Sequence, residues 1–132
     1  PLGISSLEDL SNPDLIFVTT NPDVPIGKYT AEVLKKAGVS ITPDSFESNV
    51  KGIMLKVASG EADAGIVYHS EVIAADDQVE GVEIPTKFNI VAKYPIGIIK
   101  NTAHKKQAQE FVDFLLSPKG QALLTQYGFK TS

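Results

Sequence analysis

The sequence has 132 residues, of which 42% are hydrophobic, and a formal net charge of −4. This length favours a single domain, and this apolar content is enough to bury a core, which argues against intrinsic disorder. The acidic balance argues against a nucleic-acid partner, and the absence of cysteine excludes disulfides, thiolate zinc sites and cysteine nucleophiles.

The first two thirds of the chain alternate short apolar runs with helical periods. In chain order, these patterns predict a strand over residues 15–19, helices over 27–37 and 49–59, and strands over 64–68 and 82–85. Gly38 and Gly60 supply the stop signals of the two helices, and Ser48 is expected to cap the start of the second.

The last third begins with an apolar, extended stretch over residues 88–100, which Pro95 interrupts. Because proline removes a ladder donor, this stretch is a bend, an edge strand or a crossing between sheets. Two helices are predicted after it, over residues 103–116 and 118–128, the second with Ser117 as its N-cap. The residues of the first that are expected to face inward are Ala108, Phe111, Val112 and Leu115.

Strands that alternate with helices predict an α/β fold, in which a mostly parallel sheet is flanked by helices. Ligands of such sheets bind at the carboxyl ends of the strands, where the helices begin. Residues 24–29, 48–52 and 60–68 are all predicted to reach that edge. A helix N-terminus has free N–H groups and a partial positive charge, so it suits an anion. Two such N-termini beside the Tyr68 hydroxyl would form an oxyanion site without a charged side chain.

Each of these features also has an ordinary structural explanation. Glycine is common before a helix, Ser48 can satisfy its own helix, and Tyr68 can be a core residue at a strand end. On the functional interpretation, Gly27 lets the backbone approach a ligand closely. The N–H groups near Ile26–Lys28 and that of Val50 would then point at the ligand.

The other polar residues carry weaker signals. Lys28 and Lys51 are expected to face solvent, and neither His69 nor His104 has a clear partner. Ser5 and Ser6 precede a short apolar segment and are expected to cap it. The acidic residues Asp76, Asp77, Glu80 and Glu83 lack the dense alternation of a calcium loop, so we predict neither a metal site nor a cofactor. No serine elbow, apolar carboxylate pair or phosphate loop is present, so we do not predict an enzyme.

Several segments, in order and spacing, resemble the periplasmic molybdate-binding proteins of ABC transporters, which have the type II solute-binding protein fold. The matching residues are 4–10, 21–29, 48–52, 60–68, 94–96, 111–118, 120–121 and 127–129. The resemblance implies that a tetrahedral oxyanion, molybdate or tungstate, binds between two lobes. Carried over by motif, the donors of the second lobe are the N–H groups of Ile26 and Val50 and the hydroxyl of Tyr68. Many relatives have a small residue at the position of Ile26, so its side chain is expected to alter access or selectivity.

The resemblance also implies how the chain is organised. Residues 1–91 would be the second ligand-binding lobe, and residues 92–132 the hinge return strand and closing helices of a first lobe whose N-terminal part this sequence lacks. The start at Pro1-Leu2-Gly3, without methionine or an apolar leader, suggests a piece of a longer protein. The 92–132 segment would then pack onto the lobe, pair with another copy of the chain, or be mobile.

The resemblance implies an ABC transporter permease as partner and a periplasmic or extracellular location, with a membrane-associated lipoprotein as one form. No apolar run is long enough to span a bilayer. Two alternatives remain open: a receptor for another oxyanion, such as sulfate or phosphate, and the effector-binding domain of a transcription regulator. The lack of a basic stripe argues against the transcription regulator.

Overall fold

Three parallel strands form a small sheet in the computed structural model, which describes residues 3–131. The strands are β1 (Phe17–Thr20), β2 (Ser45–Glu47) and β3 (Ala64–Gly65), in the spatial order β2-β1-β3. The helices are α1 (Pro25–Ala37), α2 (Val50–Ser59), α3 (His69–Ala75), α4 (Lys105–Leu116) and α5 (Pro118–Gln126). Short 3-10 helices lie at Glu8–Ser11 and Asp76–Gln78. The predicted α/β fold with a parallel sheet flanked by helices is confirmed.

The register of the sheet is held by two aspartates as well as by the ladder. Thr20 lies opposite Glu47, and Phe17 lies opposite Ala64. Asp44 and Asp63 come directly before β2 and β3, and their carboxylates accept the N–H groups of Phe17 and Ile16, each at 2.8 Å. These contacts tie the starts of the outer strands to the start of the central strand.

The core lies on both faces of β1, because successive strand residues point to opposite sides. On one face, Phe17 packs with Val33 and Leu34 of α1 and with leucines that precede the strand. On the other face, Val18 packs with Ile26 and with Ile53 of α2. Each face of β1 therefore has its own buried cluster: α1 supplies the helical residues on one face, and α2 together with Ile26 of α1 supplies those on the other.

The predicted helix stops are confirmed. Gly38 and Gly60 adopt left-handed conformations with φ of 71° and 75°, which glycine tolerates without a Cβ clash. At the first of them, the N–H of Val39 bonds back to the carbonyl of Leu34 at 3.0 Å, which satisfies a carbonyl at the end of α1.

Ser5 and Ser6 were predicted to cap the following helix by accepting its N–H groups, but they act as hydrogen-bond donors instead. Both residues donate their N–H and hydroxyl groups to one carboxylate oxygen of Asp9, over 2.8–3.1 Å. The residue at the N-cap of the 3-10 helix is Leu7, which has no side-chain cap. These four hydrogen bonds lower the pKa of Asp9, with the backbone bond from Ser5 as the largest cause.

Two predicted strands differ from the structure. The strand expected over 64–68 is paired only at Ala64–Gly65, and the chain then leads into helix α3, which the sequence analysis did not predict. In the described part of the chain, residues 82–85 form no strand. Instead, the N–H groups of Phe88 and Asn89 bond to the carbonyl of Pro85 and close a turn.

The chain divides into two compact units, one through Val91 and the other from Ala92 onward. Residues 79–104 contain no helix or strand, so no ladder forms over the stretch predicted as extended. In the second unit, α5 begins as predicted: the Ser117 hydroxyl accepts the N–H of Gly120 at 3.2 Å.

Helix α4 in the second unit is only partly buried. Ala108, Val112 and Leu115 are half-buried, but the prediction that Phe111 faces inward is wrong, since its side chain is 57% exposed. Within the same unit, the Tyr94 and Phe129 rings meet edge-on with centroids 5.8 Å apart.

Candidate anion-binding site

The three predicted donor segments reach one edge of the sheet. Since β1, β2 and β3 are parallel, their carboxyl ends lie on the same side. Helix α1 follows β1, helix α2 follows β2, and Tyr68 follows β3. The structure therefore brings the segments of Ile26, Val50 and Tyr68 to the edge where ligands of parallel sheets bind.

The start of α1 has no side-chain cap. Its N-cap is Val24, which has no polar side chain, and Pro25 follows at the first helical position. The N–H of Lys28 already bonds to the carbonyl of Val24 at 3.1 Å, so this group does not serve a ligand. The N–H groups of Ile26 and Gly27 have no partner among the described residues, as expected for the first turn of a helix.

The side chain of Ile26 does not lie in the candidate site. It is 3% exposed and packs in the core with Val18 and Ile53. The expectation that its size alters access or selectivity is therefore wrong, and any contribution of Ile26 to ligand binding comes from its backbone.

Gly27 is explained by packing rather than by a ligand. A Cβ atom at this position would clash with the carbonyl oxygens of Thr20 and Asn21 and would lie 2.6 Å from the Thr20 hydroxyl. The glycine thus lets α1 begin directly against the end of β1. This packing explains the glycine without a ligand. The same packing also fixes the orientation of the N–H groups of Ile26 and Gly27 at the start of α1.

Helix α2 is capped by Asn49, not by Ser48 as predicted. The Asn49 side-chain oxygen accepts the N–H of Gly52 at 3.1 Å. The amide of the same side chain donates to the Ser48 hydroxyl at 3.3 Å, so Ser48 supports the cap from outside the helix. This cap uses the N–H of Gly52 and leaves that of Val50 without a partner among the described residues.

Tyr68 lies between β3 and α3, and its carbonyl accepts the N–H of Glu71 at 3.0 Å. Its ring is half-buried and meets the ring of Tyr29 edge-on, with centroids 6.4 Å apart and planes at 74°. Tyr29 is in the first turns of α1, so this contact joins the helix that carries Ile26 to the segment that carries Tyr68. The sequence analysis missed Tyr29 in this role, and no local pattern marks it.

A charged group beside α2 was also missed. The Glu47 carboxylate at the end of β2 forms a salt bridge with Lys56 at 2.7 Å. It also accepts a hydrogen bond from the Ser45 hydroxyl at 2.8 Å. Lys56 also donates to the Ser45 hydroxyl at 3.0 Å. The contact with Lys56 and then that with Ser45 are the main causes that lower the pKa of Glu47.

The lysine and histidine residues considered in the sequence analysis are all exposed. Lys28 and Lys51 are exposed, as predicted, and so are His69 and His104. Within residues 3–131, no three histidine or acidic side chains are grouped closely enough to hold a metal ion. No helix in that range is long and apolar enough to cross a membrane.

A groove of about 360 Å³ runs along α1, from Thr20 and Gly27 to Val39 and Pro43. None of Ile26, Val50 and Tyr68 lines it. Two threonine hydroxyls that line it, those of Thr19 and Thr30, are buried and have no partner among the described residues. The groove therefore meets the strand-end edge at Thr20 and Gly27 but contains none of the three proposed donors.

The comparison with known proteins decides the family. The family model of bacterial extracellular solute-binding proteins matches residues 1–130. This chain belongs to that family. The family consists of binding proteins, which agrees with the prediction that the chain is not an enzyme.

Within this family, the chain is similar to several individual proteins. The molybdate-binding protein ModA of Mycobacterium tuberculosis strain H37Rv is 34% identical over 129 residues, which is 98% of this chain and 49% of ModA. YvgL of Bacillus subtilis strain 168, provisionally described as an ABC transporter substrate-binding lipoprotein, is 30% identical over 131 residues, or 96% of this chain and 50% of YvgL. The resemblance drawn from the sequence is confirmed. The chain spans about half the length of the curated relatives it matches.

A solved structure shows the same fold. It is a substrate-binding domain from Clostridium difficile, provisionally attributed to a molybdenum ABC transporter. It superposes with a TM-score of 0.78 at 30% identity and covers 98% of this chain and 59% of its own. The predicted solute-binding-protein fold is thereby confirmed.

Proposed function

We propose that this chain provides one ligand-binding lobe of a receptor for an ABC importer, and that the ligand is a tetrahedral oxyanion, molybdate or tungstate. The donors on this lobe are the N–H groups of Ile26 and Val50 and the hydroxyl of Tyr68. The similarity to ModA supports the ligand, and the location of these three groups at one sheet edge supports the residues.

The observation that carries the proposal is that N–H groups in the first turns of α1 and α2 have no partner among the described residues. Helix α1 has no side-chain cap, and the cap of α2 uses the N–H of Gly52 while leaving that of Val50. An oxyanion that accepts these N–H groups satisfies donors that are otherwise left to water, and it lies at the positive ends of two helix dipoles. Hydrogen bonds to a charged acceptor are the stronger kind, so few of them are needed.

Fixed backbone donors also explain how such a site selects its ligand. The N–H groups cannot move independently of α1 and α2, and close packing at Gly27 holds α1 against β1. The site therefore has a set radius, and ion size becomes the main basis of discrimination. Molybdate and tungstate are nearly equal in size and are both larger than sulfate, so this lobe would accept the first two alike.

The share of its relatives that the chain covers, about half, supports a receptor with two lobes, of which this chain holds one. In the proposal, residues 1–91 are the second lobe, and residues 92–132 are the hinge return strand and closing helices of a first lobe. The upstream half found in the relatives would supply the rest of that lobe and the remaining donors. We call the chain joined to such an upstream half the two-lobed protein. It would work outside the cytoplasm, as the family description implies, and deliver its ligand to a permease.

Calorimetric titration of the two-lobed protein tests the proposal. Molybdate and tungstate are expected to bind with similar affinities, and both much more tightly than sulfate or phosphate. Sulfate binding as tightly as molybdate would overturn the molybdate assignment and would favour a general oxyanion receptor. If none of the four ions binds, the chain is not an oxyanion lobe.

A further inference from the structure

The carboxylate of Glu47 lies against the first turn of α2, the turn that holds the proposed Val50 donor. A Cβ atom built on Gly52 would be 3.0 Å from Glu47 Cβ and 3.3 Å from its Oε2 atom. Glu47 is also the last residue of β2, so it lies at the same edge as the proposed donors. A negative charge is thus fixed within one helical turn of a site proposed to bind an anion.

Lys56 opposes that charge. It follows Gly52 by four residues, so both lie on the same face of α2. Its Nζ atom is 2.7 Å from Glu47 Oε1 and 3.0 Å from the Ser45 hydroxyl, and its side chain is 31% exposed. The Ser45 hydroxyl donates to the same carboxylate oxygen at 2.8 Å, which holds the pair in one geometry.

We infer that Lys56 sets the affinity of the proposed anion site by neutralising Glu47, although neither residue contacts the anion. The inference rests on the proposed function. With Lys56 in place, the pair adds almost no net charge beside α2. Without it, the carboxylate would repel a dianion at the helix N-terminus and would compete with it for the positive end of the dipole.

The pair can be separated from a merely structural ion pair by the sign of its effects. Lys56→Gln leaves Glu47 uncompensated, so molybdate should bind about three- to tenfold more weakly to the two-lobed protein, the range expected for one charge several ångströms away in partly screened surroundings. Glu47→Gln leaves Lys56 uncompensated, so molybdate should bind more tightly by a similar factor. The double variant should return close to the wild-type affinity. A structural pair would instead weaken binding in both single variants, because both would loosen α2.

Three further measurements make the result decisive. Raising the salt concentration should shrink the effects of both single variants, since the charges are partly exposed and screened. Lys56→Arg, which keeps the charge, should bind like the wild type, and it keeps the inference testable if Lys56→Gln does not fold. Lys36→Gln, in the last turn of α1 at the opposite edge of the sheet, is the matched control and should leave the affinity unchanged.

The outcomes distinguish this inference from the proposed function. If the wild type binds molybdate but both single variants weaken binding, or neither changes it, the charge-balance inference is wrong and the proposed function stands. If the wild type binds none of molybdate, tungstate, sulfate or phosphate, both are wrong. Opposite changes in the two single variants that diminish with salt support the inference.

Discussion

The ring of Tyr29 meets the ring of Tyr68 edge-on, with centroids 6.4 Å apart, across the two segments that carry proposed donors of the anion site. Such aromatic pairs contribute about 0.5–1.5 kcal/mol beyond the area they bury. The contact fixes the Tyr68 ring relative to α1, so the position of the Tyr68 hydroxyl depends on the helix whose N-terminus would hold the same ligand.

The first prediction concerns the Tyr68 hydroxyl. Tyr68→Phe keeps the ring and its contact with Tyr29 but removes the proposed donor. A hydrogen bond to a charged group is worth about 1.5–3 kcal/mol, so molybdate affinity of the two-lobed protein should fall at least roughly tenfold. Calorimetry measures the loss, and thermal unfolding checks that the fold is kept. Tyr127→Phe, at an exposed tyrosine after α5, is the control. An unchanged affinity in Tyr68→Phe would mean that the tyrosine only packs.

The second prediction removes a backbone donor. Val50 is the first residue of α2, where proline is well tolerated, and Asn49 before it is extended with φ of −161° and ψ of 173°, as a residue before proline prefers. Val50→Pro should therefore keep the helix while it deletes the N–H, and molybdate affinity should fall by about tenfold or more.

Val50→Ala is the matched control for that experiment. It removes more of the side chain than proline does but keeps the N–H, so it should bind molybdate nearly as well as the wild type. Circular dichroism and thermal unfolding establish that both variants are folded. Equal losses in the two variants would show that the valine side chain, not the N–H, contributes to binding.

The third prediction concerns pH and the Asp9 carboxylate. Its folded-state pKa is lowered from the ordinary 3.8, mainly by the hydrogen bond from the Ser5 N–H. A lowered folded-state pKa stabilises the fold at pH values above the unfolded-state pKa, and this stabilisation is lost as the pH falls through the folded-state value. Asp9→Asn should thus lower the urea midpoint at neutral pH, and its difference from the wild type should shrink below pH 3.8.

Glu8→Gln is the control for the Asp9 variant. Glu8 is the neighbouring, exposed acid, and its carboxylate makes no hydrogen bond among the described residues. The urea midpoint of this variant should match the wild type at neutral pH. A loss in Asp9→Asn that grows as the pH falls would contradict the assignment of its carboxylate as the acceptor.

The last prediction concerns the 132-residue chain by itself. It should fold, because β1 has a core on both faces, but it should bind molybdate weakly or undetectably. Each donor missing from the other lobe removes about 1.5–3 kcal/mol, and an open site stays accessible to water. Apolar side chains on α4 are exposed, with Phe111 at 57% and Leu116 at 66%, so we expect self-association through residues 92–132.

Light scattering and a thermal-shift titration test the two parts of that prediction. Phe111→Glu should reduce self-association without changing the folding of the first unit. A monomer that micromolar molybdate stabilises strongly would show that one lobe suffices for tight binding, which contradicts the two-lobed account.

The sequence by itself determined the class of fold and the edge that carries the candidate site. Helical periods that end at Gly38 and Gly60, with apolar strands predicted over 15–19 and 64–68, indicate an alternating α/β pattern with parallel strands. These are local properties, because capping, turns and periodicity depend on residues a few positions apart. The motif resemblance and the segments of Ile26, Val50 and Tyr68 could be identified in the same way. The strand before the second helix, β2, was not predicted from the sequence.

Only the tertiary structure decided what the individual side chains do. It showed that Ile26 is a core residue, that Gly27 makes room for the end of β1, and that Asn49 rather than Ser48 caps α2. It also joined Tyr29 to Tyr68 and Glu47 to Lys56. Those pairings arise from the order β2-β1-β3 and from the packing of α1 and α2 against the sheet. No local pattern specifies them, because side-chain contacts between distant residues depend on how the elements pack against one another.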